Sequence, residues 1–290
     1  MKQLVALPLV CSLVLAACGG APKNFGANPT APSAQATASN TAPSTAPVAA
    51  PAAAASSTAP SAPQASGNSN LPTPPASAEV IDQIQAQDDG WNSCSVCAQG
   101  TNDTTNFWMA THVSTPAMSG NSREFYVGGP QWTNALFWKT MPGHAGATHF
   151  LWDFWVYWDP TSMANIWTSE FDFWQSVGGV EFMVGSQCNY GNGHWDLWDQ
   201  KDNKWMPSSV GCSRMTPAAW HHIQWYVERG SDSYTYDTLV VDGTVYNFNK
   251  TYQPSHENWQ DAVGVQWQLD QSANGGDVHE WIDNVKLTMW

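Results

Sequence analysis

Basic residues are scarce: ten lysines and arginines serve 290 residues. Lys2 and Lys23 lie in the first 78 residues, so 79–290 sets eight Lys/Arg against all twenty-four Asp/Glu and carries −16 with histidines neutral. A surface of that sign repels phosphate backbones and anionic lipid, which excludes a nucleic-acid partner and disfavours strongly anionic polysaccharides. Helical periodicity is missing too, since no segment of a dozen residues keeps a 3.6 spacing of apolar positions. No internal repeat is visible, which speaks against a propeller. There is no Gly-rich phosphate loop, nucleophile elbow or H-E-x-x-H.

The first 78 residues lack acids altogether. Residues 1–17 place Lys2 before an apolar run from Leu4 to Ala17, too short and too early for a spanning helix, and read as an export signal. The ending Leu15-Ala16-Ala17-Cys18 resembles a bacterial lipobox, with Cys18 the residue lipidated after cleavage; an ordinary secretory signal cleaved nearby is the alternative. Gly19 is not the aspartate that favours inner-membrane retention, so an exported lipoprotein anchored at the outer membrane or cell surface is expected. Residues 18–78 are almost entirely Ala, Pro, Ser, Thr, Asn and Gln. That composition cannot offset its ordering entropy and predicts a disordered tether, about 40 Å end to end as a flexible coil. Residues 79–290, with all eighteen tryptophans, form one expected domain.

Cysteine is sparse as well. With Cys11 in the signal and Cys18 lipidated, Cys94, Cys97, Cys188 and Cys212 remain. In an exported chain an even count predicts disulfides, here Cys94–Cys97 and Cys188–Cys212. Zinc is the rival for Cys94-x-x-Cys97, but no second such pair or H-x₃-H accompanies it, and Ala98 in place of histidine excludes covalent haem.

What the domain does have is short alternating segments. His149–Asp159 alternates Phe150, Trp152, Phe154, Val156 and Trp158 against Leu151, Asp153, Trp155 and Tyr157, a strand apolar on both faces and therefore central. After a Pro-containing connection, Ser169–Gln175 puts Glu170, Asp172 and Trp174 on one face and Phe171 and Phe173 on the other. Further strands are expected at Phe107–Val113, Arg123–Val127, Ala135–Lys139, Val180–Gln187, His194–Asp199, Lys204–Pro207, Trp220–Arg229, Thr238–Val241, Thr244–Phe248, Ala262–Asp270 and Glu280–Met289. Ile81–Ala98 reads as a lead-in loop, and Trp225, Trp267 and Trp281 are expected to face the core. Asp242-Gly243 is a strong hairpin signal. About a dozen short strands predict an all-β antiparallel sandwich or barrel.

Trp220-His221-His222-Ile223-Gln224-Trp225, the Val241-Asp242-Gly243 hairpin and Trp281-Ile282-Asp283-Asn284-Val285-Lys286-Leu287 resemble the back half of concanavalin A-like lectin/glucanase domains. The resemblance covers 79–290 as a pattern and implies a jelly-roll β-sandwich whose concave face binds or cleaves glycans. Within it, Glu170-Phe171-Asp172-Phe173-Trp174-Gln175 is similar to the E-x-D-x-(x)-E signature of family-16 glycoside hydrolases, where the first Glu is nucleophile, the Asp assists and the last Glu is general acid/base. Glu170 and Asp172 match; Trp174 or Gln175 stands where the last acid belongs, and neither can protonate a leaving group. Asp153, Glu181 or Asp196 could substitute.

The expectation is therefore a surface-tethered lipoprotein that recognises a neutral polysaccharide or oligosaccharide through Glu170, Asp172, Trp174, Gln266 and Gln268. The alternatives are a β-glucan hydrolase with a displaced acid/base, with Glu170 and Asp172 as catalytic candidates, and a structural or adhesive envelope domain. No cofactor is expected. Asp196, Asp199, Asp202 and Asn203, and Asp270, Asn274 and Asp277, are oxygen-rich enough for Ca²⁺ but lack an ion-specific spacing. His221 and His222 fall on opposite strand faces and cannot share a metal.

Overall fold

The structure, a computed structural model, describes residues 71–95, 106–257 and 259–290. Most of these build strands: β1 (Glu79–Ile81), β2 (Trp91–Cys94), β3 (Asn106–Val113), β4 (Ser122–Gly129), β5 (Asn134–Pro142), β6 (His149–Trp158), β7 (Ile166–Val177), β8 (Val180–Asn189), β9 (His194–Asp199), β10 (Lys204–Gly211), β11 (Trp220–Arg229), β12 (Tyr234–Val241), β13 (Thr244–Tyr252), β14 (Ser255–His256), β15 (Ala262–Gln271) and β16 (Gly276–Met289). One short helix, α1 (Pro160–Asn165), joins β6 to β7.

Two antiparallel sheets pack face to face. The first runs β13-β12-β11-β6-β16-β4-β3 with β1 beside β16, and the second runs β10-β9-β8-β7-β15-β5-β2 with β14 beside β8. This is an antiparallel sandwich, as the alternation predicts, of the jelly-roll type that the resemblance implies, and β6 stands at the middle of its sheet.

Period-two alternation decides which side chains fill the interior. From β6, Phe150, Trp152, Phe154 and Trp158 point inward and meet β7 and β15 across the gap: Phe150 lies 4.7 Å from Phe173, Phe154 5.2 Å from Phe171, and Trp152 5.3 Å from Trp267. Trp225 and Trp267 are core residues, as their alternation predicts.

Trp281 is not. It stacks on His279 and meets Tyr157 edge-on, on the outer face of the first sheet. The register of β16 against β6 slips between Asp283 and Lys286, with Asn284 at φ 50°, so Val278 and Ile282 point inward before the bulge and Val285 and Leu287 after it. A single inserted residue exchanges the faces, which uninterrupted alternation does not foresee.

Two connections also carry more structure than expected. The lead-in segment contains β2, paired with β5 through Trp91↔Lys139 and Cys94↔Leu136. The Pro-containing link folds into α1, where Asp159 caps the helix by accepting from Thr161 N and Ser162 N, with Pro160 opening the first turn. That crossing sends β6 and β7 into different sheets.

The Cys188–Cys212 disulfide is present with Cα atoms 5.8 Å apart, as expected. Cys94 is disulfide-bonded; Cys97, the partner expected for it, lies outside the described residues, as do the signal segment, Cys18 and most of the tether. Among the described residues no helix is long and apolar enough to cross a membrane.

Candidate functional site

The outer face of the second sheet is organised by its register. One row crosses seven strands: Asn92 pairs with Trp138, Trp138 with Gln266, Gln266 with Asp172 and Asp172 with Gly185; Trp198 lies against Gly185 and pairs with Trp205. The adjacent row is Leu136, Gln268, Glu170, Gln187, Asp196 and Pro207. The next holds Asn134, Asp270, Thr168, Asn189 and His194. On the other side Trp174 pairs with Met183 and Gly264.

Glu170, Asp172, Trp174, Gln266 and Gln268 thus share one face of two adjacent strands, β7 and β15, with Phe171 and Phe173 in the core behind them. Sequence reasoning missed Trp138, Trp198, Trp205 and Gln187. Trp198 and Trp205 stand at matching distances from the four-residue turn Gln200–Asn203, a symmetry that makes them cross-strand partners but that a turn read as Lys201–Asn203 misses by one residue. Trp138 joins the row only through pairing with β15, which no local pattern announces.

Indoles flank the polar centre. Trp174, Met183 and Trp198 form a small apolar cluster with Trp205 against it, and Trp198 and Trp205 meet edge to face at 5.3 Å. Trp174 lies flat because residue 264 is glycine: a Cβ there would come within 2.2 Å of the indole. Trp138 and Trp205 remain half-buried.

The centre is acidic and tightly bonded. Gln266 Nε2 donates to Asp172 Oδ2 at 2.5 Å and Ser186 N to Asp172 Oδ1 at 3.1 Å. Thr168 Oγ1 and Gln268 Nε2 donate to Asp270 at 2.7 and 3.0 Å. Asp196 takes the amides of Gln187, Asn189 and Asn192 at 3.1, 2.8 and 3.1 Å. Glu170 is only 3% exposed and hydrogen-bonds to Asp172 and Asp270. Burial first, and the neighbouring Asp172 and Asp270 charges next, push its carboxyl well above the usual range. Burial pushes Asp172 up to about 7 despite its donors, and raises Asp270 as well.

A retaining glycosidase needs an ionised nucleophile and a proton donor with carboxyls about 5–5.5 Å apart. Here burial and the two neighbouring carboxyls push Glu170 toward its protonated form, and its hydrogen bonds run to both acidic neighbours. β7 pairs without a bulge from Thr168 to Val177, so Trp174 occupies the third motif position, while Gln175 points to the opposite side and donates to His144 O at 2.8 Å.

The substitutes considered for the missing acid are dispersed. Asp153 belongs to the other sheet and accepts from His222 at 2.7 Å and Gln224 at 2.9 Å. Glu181 pairs with Ser176 near the far end of β7 and accepts from Gln200 at 2.8 Å; burial pushes it up to about 7. Asp196 is separated from Glu170 by Gln187.

His221 and His222 face opposite sides, each bonded to an aspartate: His221 to Asp242 and His222 to Asp153, both at 2.7 Å. Among the described residues no group of three His, Cys, Asp or Glu is placed to hold a metal. Asp270 and Asp277 sit on opposite sheets, Asp277 accepting from Tyr126 at 2.8 Å.

No protein-family model matches the chain, and no curated protein matches it. Several solved structures are similar to it. A structure described as carbohydrate-binding modules of the β-sandwich superfamily is 9% identical over 70% of this chain and 58% of that one, with a TM-score of 0.39, so this chain spans little more than half its length. The family 11 carbohydrate-binding module of a Clostridium thermocellum cellulosomal cellulase is 13% identical over 72% and 93%, TM-score 0.36. Peanut lectin is 11% identical over 73% and 99%, TM-score 0.39. The likeness is one of fold.

Proposed function

We propose that the chain binds a neutral, extended glycan laid across the strands of the second sheet's outer face. The observation that carries this reading is the row from Trp138 to Trp205, in which indoles bracket a carboxamide–carboxylate centre. Indoles stack on the C–H faces of sugar rings, while carboxamides and carboxylates exchange hydrogen bonds with hydroxyls. Five strand spacings separate the two rings, about 24 Å, which suits a linear oligosaccharide rather than a single sugar.

No lysine or arginine stands in these rows, and the carboxylates repel acidic sugars, so the ligand is uncharged. Half-buried Trp138 and Trp205, with Gln187 and Gln268, supply the contacts. Glu170 and Asp172 form the floor that orients them. The lipid anchor at Cys18 and the tether behind it remain part of the proposal, carrying this face away from the outer membrane or cell surface.

Affinity electrophoresis in gels containing mixed-linkage β-glucan, xylan or alginate tests it. The expected result is retardation by a neutral polymer and not by alginate, with Trp138→Ala and Trp205→Ala each weakening binding at least about tenfold, roughly 1.4 kcal/mol. Indifference to every neutral polymer, or unchanged retardation of both variants, would sink the reading.

A further inference from the structure

Asp172 takes donors from Gln266 and Ser186, and Asp270 from Thr168, Gln268 and Asn134, whereas Glu170 between them has none of that kind among the described residues. Its hydrogen bonds run to the two other carboxyls. Two carboxyl groups can bond to each other only when one carries a proton, and Glu170, the one of the three without another donor, is the group placed to carry it. Every element packed around it leaves the charge unanswered. β7 contributes Asp172 and β15 contributes Asp270; β8 places neutral Gln187 opposite Glu170; β9 brings Asp196, already tied to three amides; β5 offers Asn134, Leu136 and Trp138. From the core side, Tyr236 donates to Gly185 O beneath Asp172. His194 stands two strands away at the rim.

We propose that this proton is a lock: held by Glu170 and donated to Asp172 or Asp270, it keeps the floor of the glycan-binding face in register, and its loss to solvent at alkaline pH switches binding off. The inference rests on the function proposed above. On ionisation Glu170 gains no donor, three carboxylates repel one another in contact, and the strands that align Trp138, Trp174 and Trp205 are pushed apart at their centre. Burial of Glu170 and Asp172 and partial burial of Asp270, which favour their neutral forms, support the same direction.

Glu170→Gln is the decisive variant, because a carboxamide donates permanently to both aspartates. Thermal melts and affinity electrophoresis on mixed-linkage β-glucan are run on the chain and on this variant at about pH 5.5 and 8.5. The wild type is expected to lose melting temperature and at least about tenfold in retention between the two, and the variant to lose much less of both. Asp172→Asn, which removes one of the three charges, is expected to shrink the wild-type loss as well and serves if Glu170→Gln fails to fold. Equal pH losses in wild type and variants overturn the lock. If no glycan binds at either pH, the binding reading has failed and the melts alone decide: a melting loss much larger in the wild type than in Glu170→Gln upholds the proton lock, and equal losses reject it.

Discussion

At the scale of single residues, two positions carry consequences out of proportion to their size. Gly264 lets the Trp174 indole lie on the sheet, and a methyl group there would collide with ring atoms at 2.2–2.4 Å. Gly264→Ala should lift the ring, cost about 1–3 kcal/mol of stability and weaken glycan retention, read by melting and by the same gels. Asp283 is the second. Its fully buried carboxylate accepts from Met118 N, Ser119 N, Ser119 Oγ, Gln85 Nε2 and Asn284 N, and so ties two loops to the bulge of β16. Asp283→Ala strands several of those donors at once and should cost about 3 kcal/mol or more in urea unfolding, while Asp283→Asn should cost less. Neither role was legible in the sequence. Glycine 264 looks like any strand glycine until the neighbouring strand is known, and Asp283 reads as one more polar residue in an alternating run.

At the scale of elements, the sequence was legible wherever one strand's own alternation decides the outcome. Glu170, Asp172 and Trp174 opposite Phe171 and Phe173 follow from period two alone, and the Asp242-Gly243 turn sets β12 against β13 through Val241↔Thr244. What alternation cannot say is which strand lies beside which. Asp153 is one of three acids in nearby strands that could substitute for the missing one, yet α1 carries the chain from one sheet to the other and leaves it and Glu170 on opposite outer faces. Bulges are equally silent, as Trp281 shows. The disulfide lies between these cases: spacing suggested it, and it fastens the end of β8 to the segment after β10 at the rim of the proposed face. Replacing Cys188 and Cys212 by serine releases a loop closed over a separation of 24 residues. The expected cost is about 3 kcal/mol in the chain-entropy model, seen as a lower melting temperature with little change in glycan retention. Retention that collapses at temperatures well below melting would instead make the bridge part of the site's framework.

At the scale of the whole molecule, scarcity of lysine and arginine turns into a pH dependence. Seven of the eight histidines lie within 3.8 Å of a carboxylate. Most of these pairs are partly exposed and individually weak. Hydrogen bonds to Asp242 and Glu124 nevertheless raise His221 and His279, against burial that lowers them, so their stabilisation is present below about pH 6.5 and fades as pH rises through the folded values. Buried acids act in the same direction. Glu170, Asp172, Glu181, Asp270 and Glu280 are all raised by burial, Asp172 and Glu181 to about 7. They carry no penalty below the ordinary carboxylate range near pH 4 and destabilise the fold progressively as pH climbs through their folded values. Asp153 and Asp242, held low by His222 and His221, withdraw stability only as pH falls below about 4. The urea midpoint should therefore be highest in mild acid and decline steadily toward pH 8. Glu280 offers a separate check inside the core, where Oε2 accepts from Trp158 Nε1 at 2.8 Å and Oε1 has no partner among the described residues. Glu280→Gln keeps that acceptor and removes the ionisation, so it should lessen the alkaline decline without altering glycan retention. A midpoint that is flat or rising from pH 5 to 8 would mean that these acids are ionised in the folded chain, and the proton on Glu170 would go with them.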